Sequence, residues 1–228
     1  MPEGFHGFTP QAGAFFWELS FNNERPWFLA HREQFEEAVN RPFRALSAET
    51  LRLMREQYPE RRFAAHNSRI YRDARRLFGR GPYKDNLWFA IFREEQRNLG
   101  PAFWFEIGRT GCSAGVGFWD ASPASMEAFR RQIDANPARF ERILNEIGPD
   151  WKLWGEPYKR PKGEHGDALI DDWYNRRWLG LEKRFDLGGD AYTDALPGVL
   201  CDAWSELMPM HQFLMEVYLS CPGEMEKQ

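Results

Sequence analysis

The chain has 228 residues, 43% apolar and 28% charged, enough to bury a core without disulfides or a structural metal. Its net charge of −4 argues against a general nucleic-acid binder, which is usually basic overall, so general DNA binding is not expected. Three scattered cysteines, Cys112, Cys201 and Cys221, make no disulfide framework, and no stretch approaches the roughly 18 apolar residues of a membrane span.

Met1-Pro2-Glu3-Gly4 has neither the charged start nor the apolar run of a signal peptide, so a cytoplasmic protein with no membrane partner is expected. Thr9-Pro10 reads as an N-cap and first turn, and Phe15, Phe16 and Leu19 give a helical stripe ending near Asn22-Asn23. A second helix from Arg25-Pro26 places Trp27, Phe28, His31, Phe35 and Val39 at mostly helical spacing. Pro42 is expected to separate a third, from Phe43 to Gln57, which Tyr58-Pro59 stops.

The period then changes. Ser68–Asp73 reads as a short strand, followed by a Gly- and Arg-rich loop to Lys84, and Leu87–Arg93 as another strand. Asn98-Leu99-Gly100-Pro101 marks a turn. Phe103, Phe105 and Ile107 alternate with Trp104 and Glu106. Beyond Thr110-Gly111, Ala114, Val116 and Phe118 alternate with Gly115, Gly117 and Trp119, giving an antiparallel hairpin. The glycines permit close approach of another backbone, a ligand or a bulky ring, of which the ring is favoured because packing is the commoner reason. Ser122-Pro123 and Asn136-Pro137 open two more helices, reaching about Asp134 and Ile147. Trp151–Trp154 suits a strand, and Gly155–Gly166 a loop with Tyr158, Lys159, Arg160, Lys162 and His165. A short helix from Asp167, a strand over Leu181–Phe185, and a helical stretch from Thr193, interrupted by Pro197 and Pro209, complete the chain. Helices, then hairpins, then helices define an α+β class rather than a parallel sheet, and without repeats or linkers residues 1–228 read as a single domain.

The most distinctive chemistry is the segment Arg69–Lys84. Arg69, Arg72, Arg75, Arg76, Arg80 and Lys84 against Asp73 give it +5, leaving −9 for the rest of a chain of net charge −4. Arginine offers planar, bidentate donors to phosphate or carboxylate, and Lys84 adds a mobile point charge. Tyr71 or Tyr83 can stack on a ring, Gly79 and Gly81 let the loop close around an anion, and Asp73 can orient one arginine. The competing reading is a structural network in which these arginines pair with Glu94, Glu95 or Glu106. Asn22, Asn23 and Trp27 are a second candidate, either capping the helix end or lining a pocket. The Tyr158–His165 loop offers a further basic patch; joined to the first, it would suit an elongated anion such as a nucleotide.

Other chemistry has less support. His6, His31, His66, His165 and His211 lack metal-site spacing, and no thiol has a local activator. There is no P-loop and no Gly-x-Ser-x-Gly elbow. The pattern points to no particular cofactor or reaction.

Phe8-Thr9-Pro10, Asn22-Asn23 with Trp27-Phe28, Arg69-Ile70-Tyr71-Arg72-Asp73 and Gly81-Pro82-Tyr83-Lys84 follow one another in an order that resembles a widespread bacterial and fungal family, the domain of unknown function 2461 family. Lys159-Arg160-Pro161-Lys162-Gly163 is similar to that family's later basic loop, so the resemblance covers nearly the whole chain. Two places depart from it. Arg75–Arg80 reads Arg-Arg-Leu-Phe-Gly-Arg, where members more often carry an aromatic followed by Ser-Lys-Asp-Lys, and the loop around His165 is shorter, so His165 is not equated with the family's histidine. The resemblance implies a domain and no established activity. The leading expectation is therefore a small anionic, phosphate- or carboxylate-bearing ligand at Arg69, Arg72, Arg75 and Lys84. A module docking an acidic protein or RNA segment is the alternative, and a partner surface among exposed aromatics is a third reading.

Overall fold

The computed structural model describes residues 4–73, 75, 77, 79–96, 100–119, 121–185 and 188–221. Arg76 and the Asn98-Leu99 half of the expected turn lie outside the described residues. Helix α1 spans Pro10–Phe21, α2 Arg25–Ala30 and α3 Arg32–Phe35. A π-helical turn over Glu36–Asn40 then runs directly into α4, Arg41–Gln57. The separation expected at Pro42 is not there. Pro42 sits where the π turn meets α4, a place where an interrupted hydrogen-bond ladder is tolerated.

Strands β1 (Phe63–Asn67), β2 (Asn86–Arg93), β3 (Ala102–Gly108) and β4 (Gly111–Phe118) follow, then α5 (Pro123–Ala135) and α6 (Pro137–Glu146). Strand β5 (Lys152–Trp154), α7 (Ala168–Tyr174), β6 (Leu179–Phe185), α8 (Leu196–Glu206) and α9 (Met208–Leu219) complete the chain. The protein is α+β, with helices at both ends and a six-stranded antiparallel sheet in the middle, ordered β1-β2-β3-β4-β6-β5. At one edge Lys152 pairs with Glu182 and Trp154 with Gly180. Pro197 and Pro209, expected as interruptions, instead occupy the second positions of α8 and α9. A proline there fits because the first-turn N–H groups have no intrahelical acceptor.

The regular strand ahead of the basic segment is Phe63–Asn67, earlier than the Ser68–Asp73 expected. Phe63 is buried and His66 exposed, but the intervening alanines blur the alternation that marks a strand. The hairpin of β3 and β4 is as expected, with Phe103, Phe105, Ile107, Ala114, Val116 and Phe118 all buried.

The chain divides into two compact units. The first contains residues 1–91, 105–114 and 184–202. Its core is a file of rings in which Phe8 meets Phe105 at 6.2 Å, Phe105 meets Phe89 at 5.5 Å and Phe89 meets Phe43 at 5.7 Å. A second group joins Phe15, Phe28 and Phe35. The second unit contains residues 92–104, 115–183 and 203–228. There Phe103 stacks on Trp204 at 5.6 Å, and Phe129, Phe140 and Phe213 pack mutually within 5.8 Å.

The hairpin glycines serve two purposes. A Cβ on Gly117 would lie 3.2 Å from Trp154 Cζ2, so a ring does occupy that space. On Gly115 it would lie 1.8 Å from the Leu181 carbonyl oxygen, so the nearest neighbour there is backbone. Gly115→Ala is therefore expected to lower stability by about 2 kcal/mol or more in denaturant unfolding, because a carbonyl of β6 cannot rotate away as a side chain can. Gly117→Ala should cost less.

Candidate functional site

Backbone pairing continues past the end of β1 into the basic segment. Ser68 N donates to Trp88 O at 2.8 Å, and Trp88 N donates to Ser68 Oγ at 2.9 Å. Lys84 N donates to Ile70 O at 2.7 Å, Arg72 N to Pro82 O at 2.8 Å, and Tyr71 bridges Tyr83 antiparallel. The two arms of the segment are thus tied as far as Arg72 and Pro82.

The arms are held from α2 and the turn before it. Asn23 uses its side-chain amide as a strand would use its backbone: Oδ1 accepts from Tyr83 N at 2.9 Å, and Nδ2 donates to Tyr83 O at 2.9 Å. Gly81 makes room, since a Cβ there would fall 2.3 Å from the Asn23 amide carbon. The Tyr83 ring is buried and stacks on Phe28, with ring centres 4.1 Å apart and planes 17° off parallel. Burial raises the Tyr83 hydroxyl above its ordinary value; the neighbouring Tyr71 adds to this and Arg25 opposes it. Tyr71, in contrast, is 56% exposed, with its ring centre 5.3 Å from that of Tyr83.

The pairing register puts Arg72 and Lys84 on the face opposite the tyrosines. Arg72 Nε donates to Tyr83 O at 2.8 Å, and Nη2 lies 3.3 Å from Asp85 Oδ1. The Lys84 ammonium sits 5.9 Å from the Trp88 ring centre. Its pKa is lowered from the ordinary 10.5, first by burial and then by the positive charge of Arg72, with Glu106 opposing. Two half-buried cations therefore stand close enough to repel, partly balanced by Asp85 and Glu106.

Arg69, Arg75 and Arg80 point outward. Arg75 is exposed and grips Asp73 with two nitrogens, Nε to Oδ1 at 3.0 Å and Nη2 to Oδ2 at 2.9 Å. Arg69 and Arg80 are exposed, and neither makes an ion pair among the described residues. Of the acids proposed as partners for these arginines, Glu95 pairs instead with Arg93. Asp85 is the partner that sequence reasoning missed. It directly follows Lys84, but strand alternation would turn it to the tyrosine face, so the residue pattern carried no signal for its pairing with Arg72.

Asn22 caps the end of α1, its Nδ2 donating to Glu18 O at 3.0 Å. Trp27 stacks on His31 at 4.1 Å. Burial pushes the Cys112 thiol up to about 12; burial, helped by Asp202, does the same for Cys201, opposite to what a thiolate nucleophile requires. Among the described residues, no three His, Cys, Asp or Glu side chains are placed to hold a metal. No helix of the described residues is long and apolar enough to cross a membrane.

Fold and site together define an α+β protein that displays a basic, aromatic-backed loop locked by an asparagine. The chain belongs to the family described as conserved hypothetical protein (DUF2461), whose model matches residues 11–213. None of the curated proteins compared with the chain matches it.

Asn23→Ala should strand the Tyr83 N–H and cost about 1–3 kcal/mol of stability. Hydrogen exchange at the Tyr83 and Lys84 amides should rise well before that of β3. Asn23→Asp, which keeps the acceptor, should be milder.

Proposed function

We propose that the Arg69–Lys84 segment binds a small anionic ligand bearing phosphate or carboxylate on the face that carries Arg72 and Lys84, with Arg75 as a further donor at its rim. The observation that supports this most strongly is the like-charge pair of Arg72 and Lys84, half-buried and mutually repelling. An anion bound against them would remove the repulsion, and its attraction would be stronger there than at a fully solvated surface. The segment also holds the right donors, since guanidinium supplies fixed forks and the ammonium a mobile charge. Asp73 keeps Arg75 oriented at the rim. In this reading Tyr83, Asn23 and Phe28 shape the loop rather than touch the ligand. The exposed Tyr71 and Arg69 also support the alternative of an acidic protein or RNA segment docking here, which calls for a longer footprint than a small anion. The cytoplasm, where such anions are abundant, is the proposed location.

The test uses nucleotides, sugar phosphates and dicarboxylates in thermal shift, at low and high salt. A ligand at 100 times its dissociation constant should stabilise by about 2.7 kcal/mol, an easily seen shift for a chain of this size. Lys84→Met should abolish it. Arg72→Ala is a poorer probe because it also removes the bonds to Tyr83 and Asp85. A shift that survives Lys84→Met, or no shift with any anion, contradicts the proposal.

The pH dependence carries a second expectation. Folded Lys84 holds its proton less tightly than unfolded lysine, so below 10.5 the unfolded chain binds more protons. Stability therefore rises with pH through the window ending near that value. Tyr83, raised above 10.0, contributes with the opposite sign in an overlapping range. The difference between wild type and Lys84→Met isolates the lysine. That difference should favour wild type increasingly as pH rises, and a saturating anion should flatten it.

A further inference from the structure

The second unit contains a cation that its own neighbours leave uncompensated. Arg130 of α5 lies with its guanidinium carbon 5.5 Å from the ring centre of Tyr158 and 5.9 Å from that of Tyr174. Its Nη1 is buried and meets no acceptor among the described residues. Asp134, one helical turn further on, stands at the spacing of an i,i+4 ion pair. Yet both its oxygens are engaged elsewhere. Oδ1 lies 3.0 Å from His165 Nε2, and Oδ2 accepts from the Tyr174 hydroxyl at 3.1 Å.

A second cation meets the same ring. Lys162 is exposed, with its ammonium 4.7 Å from the Tyr158 ring centre, and it makes no ion pair among the described residues. The loop that carries it is anchored. Asn175 Oδ1 accepts from Lys162 N at 2.6 Å, and Nδ2 donates to Gly163 O at 3.1 Å. Tyr158 N is bound to Asn175 O at 2.8 Å. His165 is fixed further along, its backbone N donating to Asp171 Oδ1 at 2.7 Å. Gly163 lies against the Tyr174 ring, where a Cβ would fall 2.8 Å from Cε1. The tyrosines and the anchored loop thus hold a guanidinium and a mobile ammonium against one ring, while Asp134 is engaged by His165 and Tyr174.

We propose that Arg130 and Lys162, set against the Tyr158 ring, form a second anion site that takes a phosphate dianion, either inorganic phosphate or the phosphoryl end of a small phosphomonoester. Arg130 makes no ion pair among the described residues, so its guanidinium has donors to offer an oxygen ligand, and a guanidinium nitrogen left without an acceptor is costly. Two uncompensated cations favour a ligand with two negative charges over a monocarboxylate. Arg130 supplies the fixed fork, and Lys162, on its flexible stem, closes over the ligand. This site does not depend on the Arg69–Lys84 reading.

The experiment titrates the full chain, carrying 13C-labelled tyrosine rings, with inorganic phosphate at constant ionic strength. Tyr158→Phe and Tyr174→Phe assign the two ring signals. Both signals should shift and saturate, and acetate should bind at least tenfold more weakly. Arg130→Gln and Lys162→Gln should each weaken phosphate at least tenfold, while Lys84→Met leaves this response unchanged. Shifts that grow without saturating, that persist in Arg130→Gln, or that acetate reproduces equally would overturn the proposal. If Arg130→Gln does not fold, Lys162→Gln decides, because its side chain is exposed and its loss leaves the core intact. Phenyl phosphate, as a phosphomonoester probe, separates the two sources: tighter binding than inorganic phosphate assigns the site to a phosphomonoester, and equal or weaker binding to the free ion.

Discussion

One side-chain amide determines the shape of the basic segment. Asn23 faces Tyr83 and satisfies both its N–H and its carbonyl, as a neighbouring strand would. Without that contact a polar backbone pair would be left partly unsatisfied beside a buried ring, an arrangement proteins avoid. Gly81 follows from the same contact, since any larger residue would collide with Asn23. So does the stacking of Tyr83 on Phe28, which carries the segment into the aromatic core of the first unit.

The position of the charges is a consequence. Once Tyr83 is turned toward Phe28, strand alternation turns Arg72 and Lys84 to the other face. Arg72 braces Tyr83 O and Asp85, so part of its charge is structural. Lys84 lies over the Trp88 ring, and Glu106 opposes the effect of its burial. A structural network and a binding site are therefore not exclusive here. The network consumes Arg72 and Arg75 in part, and what it leaves over is positive charge.

Much of this was legible in the sequence. The α+β class followed from the order of helices, hairpins and helices, and the β3–β4 hairpin from strict alternation across Thr110-Gly111. The helix starts followed from proline, although Pro197 and Pro209 open helices where they were expected to interrupt one. The basic segment and Asn23 were both singled out, but not as partners. They are 60 residues apart in sequence, and a single chain carries no signal for such a contact. For the same reason Asp134 and Arg130, neighbours on one helix, would have been paired from spacing alone. His165 and Tyr174, brought in by a distant loop and helix, take the carboxylate instead. Strand β1 was placed late because Ala64 and Ala65 carry no alternation.

The central claim is that folding crowds Lys84 against positive charge that an anion would relieve. The most direct test is the titration of its side chain by NMR, using 13C-labelled lysine assigned with Lys84→Met, with and without a saturating nucleotide or sugar phosphate. The account requires a pKa below the ordinary 10.5 in the free protein and a clear rise in the complex. A Lys84 that titrates normally in the free protein, or does not respond to any anion that binds, would contradict it.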